Sequence, residues 1–421
     1  MAINTSINNV LSNQAIEALN DHLDEDYFDI VQRNNPLQAM FEDDTHGGLD
    51  IQTAIGTSYG DATGADVDTV IANADDVARG SFKTPWAEGI AVGKVRNTDI
   101  DLMGDDENSV VDALRDSTGK KMRALAMRLE RHLAGDGFGT LFKIASHTGA
   151  ASPFVLTVTR PTDLAPVYIG MKLVSCSTVN GAALDTGTAT VTNIDRDLGT
   201  VTVTTADAWD GVNNDNHFVF SKFDKKAGSL TKPICGLGMD FWIPLTAPST
   251  DETSICGMDR RTDVQSFAGA RMDGRKGGLY QNIMKMLTRL SINGEAMPDR
   301  VAVNSVAGWA DLQNSAPPNV LTKEPNGGEF EYGFERVSFM GPTGKVTVFP
   351  CWAIREDRVY VLTRNTWKLH KPKAQLIYTD NRAGRNGLID SAGSSSVEFR
   401  KKAIYALTCS YPGANGVIQT A

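Results

Sequence analysis

RLERHLAGDGFGTLF, residues 128 to 142, sets three glycines, Gly135, Gly137 and Gly139, within five positions directly behind a run of leucines and charges. Glycines at this density belong either to a phosphate cradle or to the end of a helix, and the residues before them decide which. Ser109, with Asp112 three places on, gives a capping-box start; Val110, Val111, Leu114, Thr118, Met122, Leu125, Leu129 and Leu133 then recur at three- and four-residue steps. One face of this helix is apolar, with Val111, Leu114, Met122, Leu125, Leu129 and Leu133 as its core, and the rest is charged. From Ser109 to Ala134 it would span about 37 Å, with Gly119 as a weak point. Gly135 falls where a left-handed cap is wanted, and Gly137 and Gly139 let the chain turn away. Nucleotide-binding glycines precede a helix, whose free N–H groups attract phosphate; these follow one, where carbonyls repel it. The turn is therefore a helix stop, and His132 beside it reads as a solvated or dipole-satisfied residue and not as a ligand.

Composition limits the function. The 421 residues, 41% hydrophobic and 22% charged, are enough for two to four structural units. A net charge of −10 argues against a protein that grips nucleic acid, which needs clustered Lys and Arg. No apolar run approaches the roughly 18 residues of a membrane span, and MAINTSINN lacks the features of a signal peptide, so a soluble chain made in a cytoplasm is expected. Five scattered cysteines without a Cys-x-x-Cys pair point to buried thiols; no disulfide framework, metal or cofactor is expected.

N-terminal to the helix the chain changes character. Residues 1 to 79 carry fifteen acids against only Arg33 and Arg79, which describes an arm (1 to 49) with a short helix or two, one of them around residues 17 to 32. Residues 50 to 104 contain two β-rich runs, roughly 52 to 59 and 82 to 102, around a Gly, Ala and Asp-rich middle, the pattern of a long hairpin. Arms of this length would reach about 50 to 65 Å. A lone hairpin is marginal, so it must lie on something else. Phe82, Pro85, Trp86, Ile90 and Val92 are the expected contacts with a neighbouring chain, with Lys83, Lys94 and Arg96 meeting acidic partners such as another copy's arm; for Trp86 packing on its own domain is the alternative.

C-terminal to the helix region (105 to 152), residues 153 to 226 give short alternating strands between Gly, Asn and Asp turns, an all-β module of barrel or sandwich type. Its acidic loop DAWDGVNNDN (207 to 216) lacks the spacing of a calcium loop and is expected to be a plain turn. Residues 227 to 342 alternate helix (277 to 294), strand (298 to 306) and helix (307 to 315), an α/β layer. The Arg and Asp cluster in MDRRTDVQSFAGARMDGRKGG is expected to be a flexible charged loop facing a neighbouring subunit. Strands return in 343 to 421, in GKVTVFPCWAIREDRVYVLTRNTWKLH and VEFRKKAIYALTCSYPGANGVIQ.

The order of these parts resembles the major capsid proteins of tailed bacteriophages with the Hong Kong 97-type fold: an acidic arm, a long hairpin, a spine helix closing in a Gly-Asp-Gly turn, then an apolar-Pro-apolar strand and a closing strand with Arg, aromatic and Pro. The resemblance implies an α+β fold of N-arm, extended loop, spine helix, peripheral domain and axial domain, with the all-β module as an insertion for folding support or lateral contacts. It also implies self-assembly into pentamers and hexamers of an icosahedral head that encloses double-stranded DNA without sequence-specific binding, assembly in the host cytoplasm, and a place in the virion. The implied partners are the chain itself, a separate scaffolding protein, because the stretch before the hairpin is too short for a fused one, a portal protein and, as an option, a decoration protein. Some members crosslink a hairpin Lys to a neighbour's Asn; Lys83 and Lys94 are available, but no matching Asn or catalytic Glu can be assigned, and no crosslink is expected.

Catalytic signatures are not prominent. The six histidines are scattered, no Gly-x-Ser-x-Gly or His-Glu-x-x-His run occurs, and the serine-rich SAGSSSVEF (391 to 399) has no base near it in sequence. No enzyme is expected. The alternatives are an encapsulin-like compartment shell and, from another class, a multidomain enzyme or carbohydrate-binding protein that uses the β module.

Overall fold

The computed structural model describes residues 35–56, 79–96, 107–148, 152–179, 187–205, 216–224, 235–292, 299–315, 337–342, 344–373, 375–379, 388–390 and 396–420. The expected helix at 17 to 32, the middle of the hairpin, the acidic loop up to Asp215 and residues 391 to 395 lie outside them.

The spine helix, α2, runs Glu107–Ala134, two residues longer at its start than the capping box predicts. It follows the one-turn helix α1 (Pro36–Met40) and strands β1 (Glu42–Thr45), β2 (Asp50–Gly56), β3 (Arg79–Pro85) and β4 (Ala87–Arg96). The apolar face is buried as the spacing requires: Met122, Leu125, Leu129 and Leu133 are each at most 3% exposed. The side chains of Val111 and Leu114 lie outside the described residues.

The glycine turn is the gate of an inserted domain. Gly137 and Gly139 carry the left-handed φ angles, +88° and +75°, whereas Gly135 does not, contrary to its expected role as cap. The Phe138 N–H donates to Asp136 Oδ1 at 2.9 Å, which closes the turn locally. The chain then enters β5 (Thr140–Thr148), β6 (Phe154–Val158), β7 (Lys172–Cys176), β8 (Ala189–Asp195), β9 (Thr200–Thr205) and β10 (Phe218–Ser221), which close as a barrel in the order β10-β5-β6-β9-β8-β7. The module thus begins at Thr140, not at 153: β5 is a barrel strand that the sequence reading assigned to the helix region. Its core is its own, built from Phe142, Ile144, Leu156, Leu173, Val191, Val201, Val203 and Val219 among others. The chain returns beside its point of entry, where the Cys235 N–H donates to the Gly137 carbonyl at 3.1 Å. A Cβ on Gly139 would lie 2.8 Å from Cys235 Sγ.

Two more sheets complete the body. One holds β11 (Ala270–Asp273), β12 (Arg300–Asn304), β13 (Val337–Gly341), β14 (Gly344–Pro350), β15 (Arg358–Thr363) and β20 (Gly416–Gln419) in the order β11-β20-β15-β12-β14-β13. Helix α3 (Leu279–Ile292) buries Ile283, Met286, Leu287 and Leu290 against it, and α4 (Val306–Ser315) contributes Leu312 to the same core. The other sheet is organised by the 14-residue β19 (Ser396–Cys409), which pairs with β16 (Trp367–Lys371), β17 (Ile377–Thr379), β18 (Leu388–Asp390) and β4; β1 adds in parallel to β16.

The second β-rich run therefore does two jobs. Its first half, β3, forms the expected hairpin with β2, in register from Asp50↔Pro85 to Gly56↔Arg79. After Trp86 the chain leaves the hairpin and β4 joins β19, from Tyr405↔Ala87 to Ser396↔Arg96. As far as it is described, up to Arg96, the expected single arm from 82 to 102 is two strands in two sheets.

Candidate assembly interface

The alternation of β4 decides what its side chains can do. Ala87 and Gly89 are buried and Ala91 packs against the main core, so Glu88, Ile90 and Val92 point the other way. Ile90 and Val92 are 47% and 40% exposed, and they sit opposite Lys402 and Arg400 of β19. Glu88 pairs with Lys402 at 2.5 Å. The result is an apolar strip framed by charges on an open sheet face, the pattern of a contact surface. Lys83 is exposed on β3, its aliphatic stem lying over Gly257. Lys94 and Arg96 occupy β4, and their side chains lie outside the described residues.

Phe82 is corrected. It is wholly buried in its own chain, edge-on to Trp242 at 5.1 Å and to Phe267 at 6.3 Å, because the base of the hairpin rests on the body and Phe82 faces inward. Trp86, partly buried, donates its indole N–H to the Gly48 carbonyl at 2.9 Å; the alternative of packing on its own chain is the one observed, and Pro85 beside it is also half-buried.

The charged run at 258 to 278 is corrected as well. Arg260 is 1% exposed: it pairs with Glu252 at 2.5 Å, donates to the Phe241 carbonyl at 2.6 Å and stacks on the Phe241 ring. It holds the helical turn Met239–Trp242 from inside. Arg271 donates to the carbonyls of Pro244, Ala268 and Gly269, and burial brings its guanidinium down to about 10. Only the Asp259–Arg261 and Asp273–Arg275 pairs are open to solvent.

His132 is buried, not solvated. The Tyr405 hydroxyl donates to the Cys235 carbonyl at 2.8 Å, so it accepts from His132 Nδ1 at 3.0 Å, which fixes the tautomer. Burial, then the charges of Arg131 and Arg128, keep the ring well below its ordinary pKa and hence neutral. His132, Asp224 and Cys235 bring three donor atoms within 4.8 Å of one another. Both carboxylate oxygens of Asp224, however, face guanidinium groups, Arg128 on one side and Arg131 at 3.2 Å on the other. That field opposes a cation, and the cluster works as an ion pair tying the barrel exit to the spine helix.

A cavity of about 350 Å³ lies between the barrel, the end of α2 and the loop 352 to 358. At it, Arg358 contacts Asp240 and pairs with Asp357 at 2.8 Å, Arg160 of the barrel reaches Asp357 at 2.8 Å, and Arg196 donates to the Val167 carbonyl. The cavity is the seam that fastens the barrel to the sheet of β15.

Glu130 was missed by the sequence reading. It is wholly buried and accepts from the Leu37 N–H at 2.6 Å and the Gln38 N–H at 3.2 Å. The signal was present: Glu130 lies four residues after Ala126 and three before Leu133, within the apolar face.

With this geometry in hand, comparison with solved structures identifies the architecture. The capsid asymmetric unit of cyanophage A-1(L) matches over 92% of this chain and 93% of its own, at 9% identity and a TM-score of 0.50. The capsid of a native GTA particle matches over 91% and 89%, at 8% identity and a TM-score of 0.43. The encapsulin complex of Synechococcus elongatus matches over 92% and 87%, at 8% identity and a TM-score of 0.44. No family model and no curated protein matches the sequence. The chain has the α+β Hong Kong 97-type capsid fold: N-arm, extended loop, spine helix, peripheral and axial domains, with an inserted β-barrel.

Proposed function

We propose that this chain is the major capsid protein of a tailed bacteriophage, many copies of which close into an icosahedral head of pentamers and hexamers around double-stranded DNA. The observation that carries the reading is agreement in fold with a phage capsid structure over nine-tenths of both chains. The open face of β4 supports it, since Ile90 and Val92 stay exposed among the described residues and would gain burial against another chain. The net charge of −10 suits a container whose contents must stay mobile and not adhere to the wall. In this reading the head assembles in the host cytoplasm with a separate scaffolding protein, a portal protein and, where the head needs one, a decoration protein. The subunit acts by shape and not by catalysis.

Size-exclusion chromatography and negative-stain imaging of the purified chain test it. Capsomers or closed shells of uniform diameter are expected; a lone compact monomer or a small enzyme-like oligomer would refute it. Particles isolated from producing cells should contain DNA, whereas particles filled with a cargo enzyme would indicate an encapsulin-like compartment instead.

A further inference from the structure

We propose that the segment Asn35–Phe41 is a proton-controlled clasp, which docks on the spine helix through the carboxyl group of Glu130 and loosens as that group ionises. The inference concerns the folded chain itself and stands whether or not the chain builds a shell.

The clasp is made by few groups. A one-turn helix cannot satisfy its own leading N–H groups. In α1 two of them, from Leu37 and Gln38, are met by Glu130, more than ninety residues away in sequence. The Gln38 side chain donates to the Ala126 carbonyl at 3.1 Å, so the same turn grips α2 twice. At the other end of the turn Arg364 donates to the Met40 carbonyl at 3.3 Å. Leu37 is wholly buried in the main core, with Met40 and Phe41 beside it. Removing the segment would open Glu130 to water.

A carboxyl group in this place has an unusual balance. From α1 it faces the two amides, and from the loop after β14 it faces the Cys351 thiol, whose sulfur lies 3.7 Å from Oε1. No Lys, Arg or His forms an ion pair with it among the described residues. Burial pushes the group up to about 8, against the amides and the thiol that favour its ionised form. Cys351 is itself pushed well above the ordinary thiol value, chiefly by burial, so it keeps its proton throughout this range.

The direction follows from linkage. Undocked and wetted, Glu130 returns toward its ordinary value of 4.5. Between that value and about 8 the docked state holds a proton that the undocked state gives up. Docking is therefore insensitive to pH below the window, weakens by up to about tenfold per pH unit through it, and is level again above it. A rise in pH frees the segment and a fall secures it. The segment joins the N-terminal residues to the body, so its release changes what those residues can reach.

Hydrogen exchange of the full-length chain, measured from pH 5 to 9 as protection factors corrected for intrinsic exchange, tests the clasp. The Leu37 and Gln38 amides should lose protection by up to about tenfold per unit below pH 8, while amides of β15 hold theirs. Glu130→Gln, which imitates the neutral acid, should keep the segment docked with no pH dependence. Constant protection in the wild-type chain, or the same loss in Glu130→Gln, would overturn the proposal. If that variant fails to fold, as lost protection in β15 would reveal, the wild-type profile referenced to β15 decides alone.

Discussion

At Gly238 a hydrogen atom stands where any other side chain would put a carbon. A Cβ there would overlap the carbonyls of His132 and Leu133, in the last turn of the spine helix, and of Gly135 just beyond it. Its φ of −96° is open to every residue, so the requirement is one of space and not of backbone conformation. Gly238→Ala must push backbone against backbone. We expect a loss of about 3 kcal/mol or more, read as a lower midpoint in urea unfolding; a loss under about 0.5 kcal/mol would show that the helix end yields. Nothing in the residues around Gly238 announces this, because the contact is with a segment a hundred positions earlier. Phe82 teaches the same lesson from the other direction. Its place in a hairpin was legible, but its burial against Trp242 and Phe267 depends on how the hairpin base meets the body. Glu130 was legible in principle as an acid on an apolar face, though its partners in α1 were not.

At the scale of elements, periodicity served well wherever one face of an element meets one core. The spine helix, the β2–β3 pairing and the helix at α3 follow their patterns within a few residues. It failed where one run serves two sheets, as at Trp86, and where a strand follows a helix without a break in composition, as at β5. The barrel closes on its own core and its entry and exit are neighbours. A fragment from Gly137 to Asp224 should therefore fold by itself and give a dispersed NMR spectrum, whereas a collapsed spectrum would mean that the barrel needs its seam with Asp357 and Asp240. On β4, the double variant Ile90→Asp with Val92→Asp should leave the stability of the unassembled subunit within about 0.5 kcal/mol, since both side chains are open. The same variant should abolish particles. Particles of normal size and yield would show that the strip is not a contact.

For the whole molecule, the described residues form three large cores, one around the spine helix and the β19 sheet, one in the barrel and one under α3, and a small cluster of Val174, Cys176 and Phe220. Among the described residues, the outer face of the β4–β19 ribbon is one of the places where large apolar side chains stay open, beside single exposed residues such as Leu198 of the barrel and Ile292 at the end of α3. The order of parts along the sequence was enough to suggest this architecture; any surface on which copies would meet was not, because a single chain records only what it leaves open.

A cryo-electron microscopy reconstruction of the assembled particle tests most directly whether these open elements are completed by sister copies. A closed icosahedral shell is expected, in which Ile90 and Val92 are buried against a neighbouring subunit and Lys83 faces its acidic groups. A particle in which both residues stay bare to solvent, or a chain that remains a monomer, would contradict it.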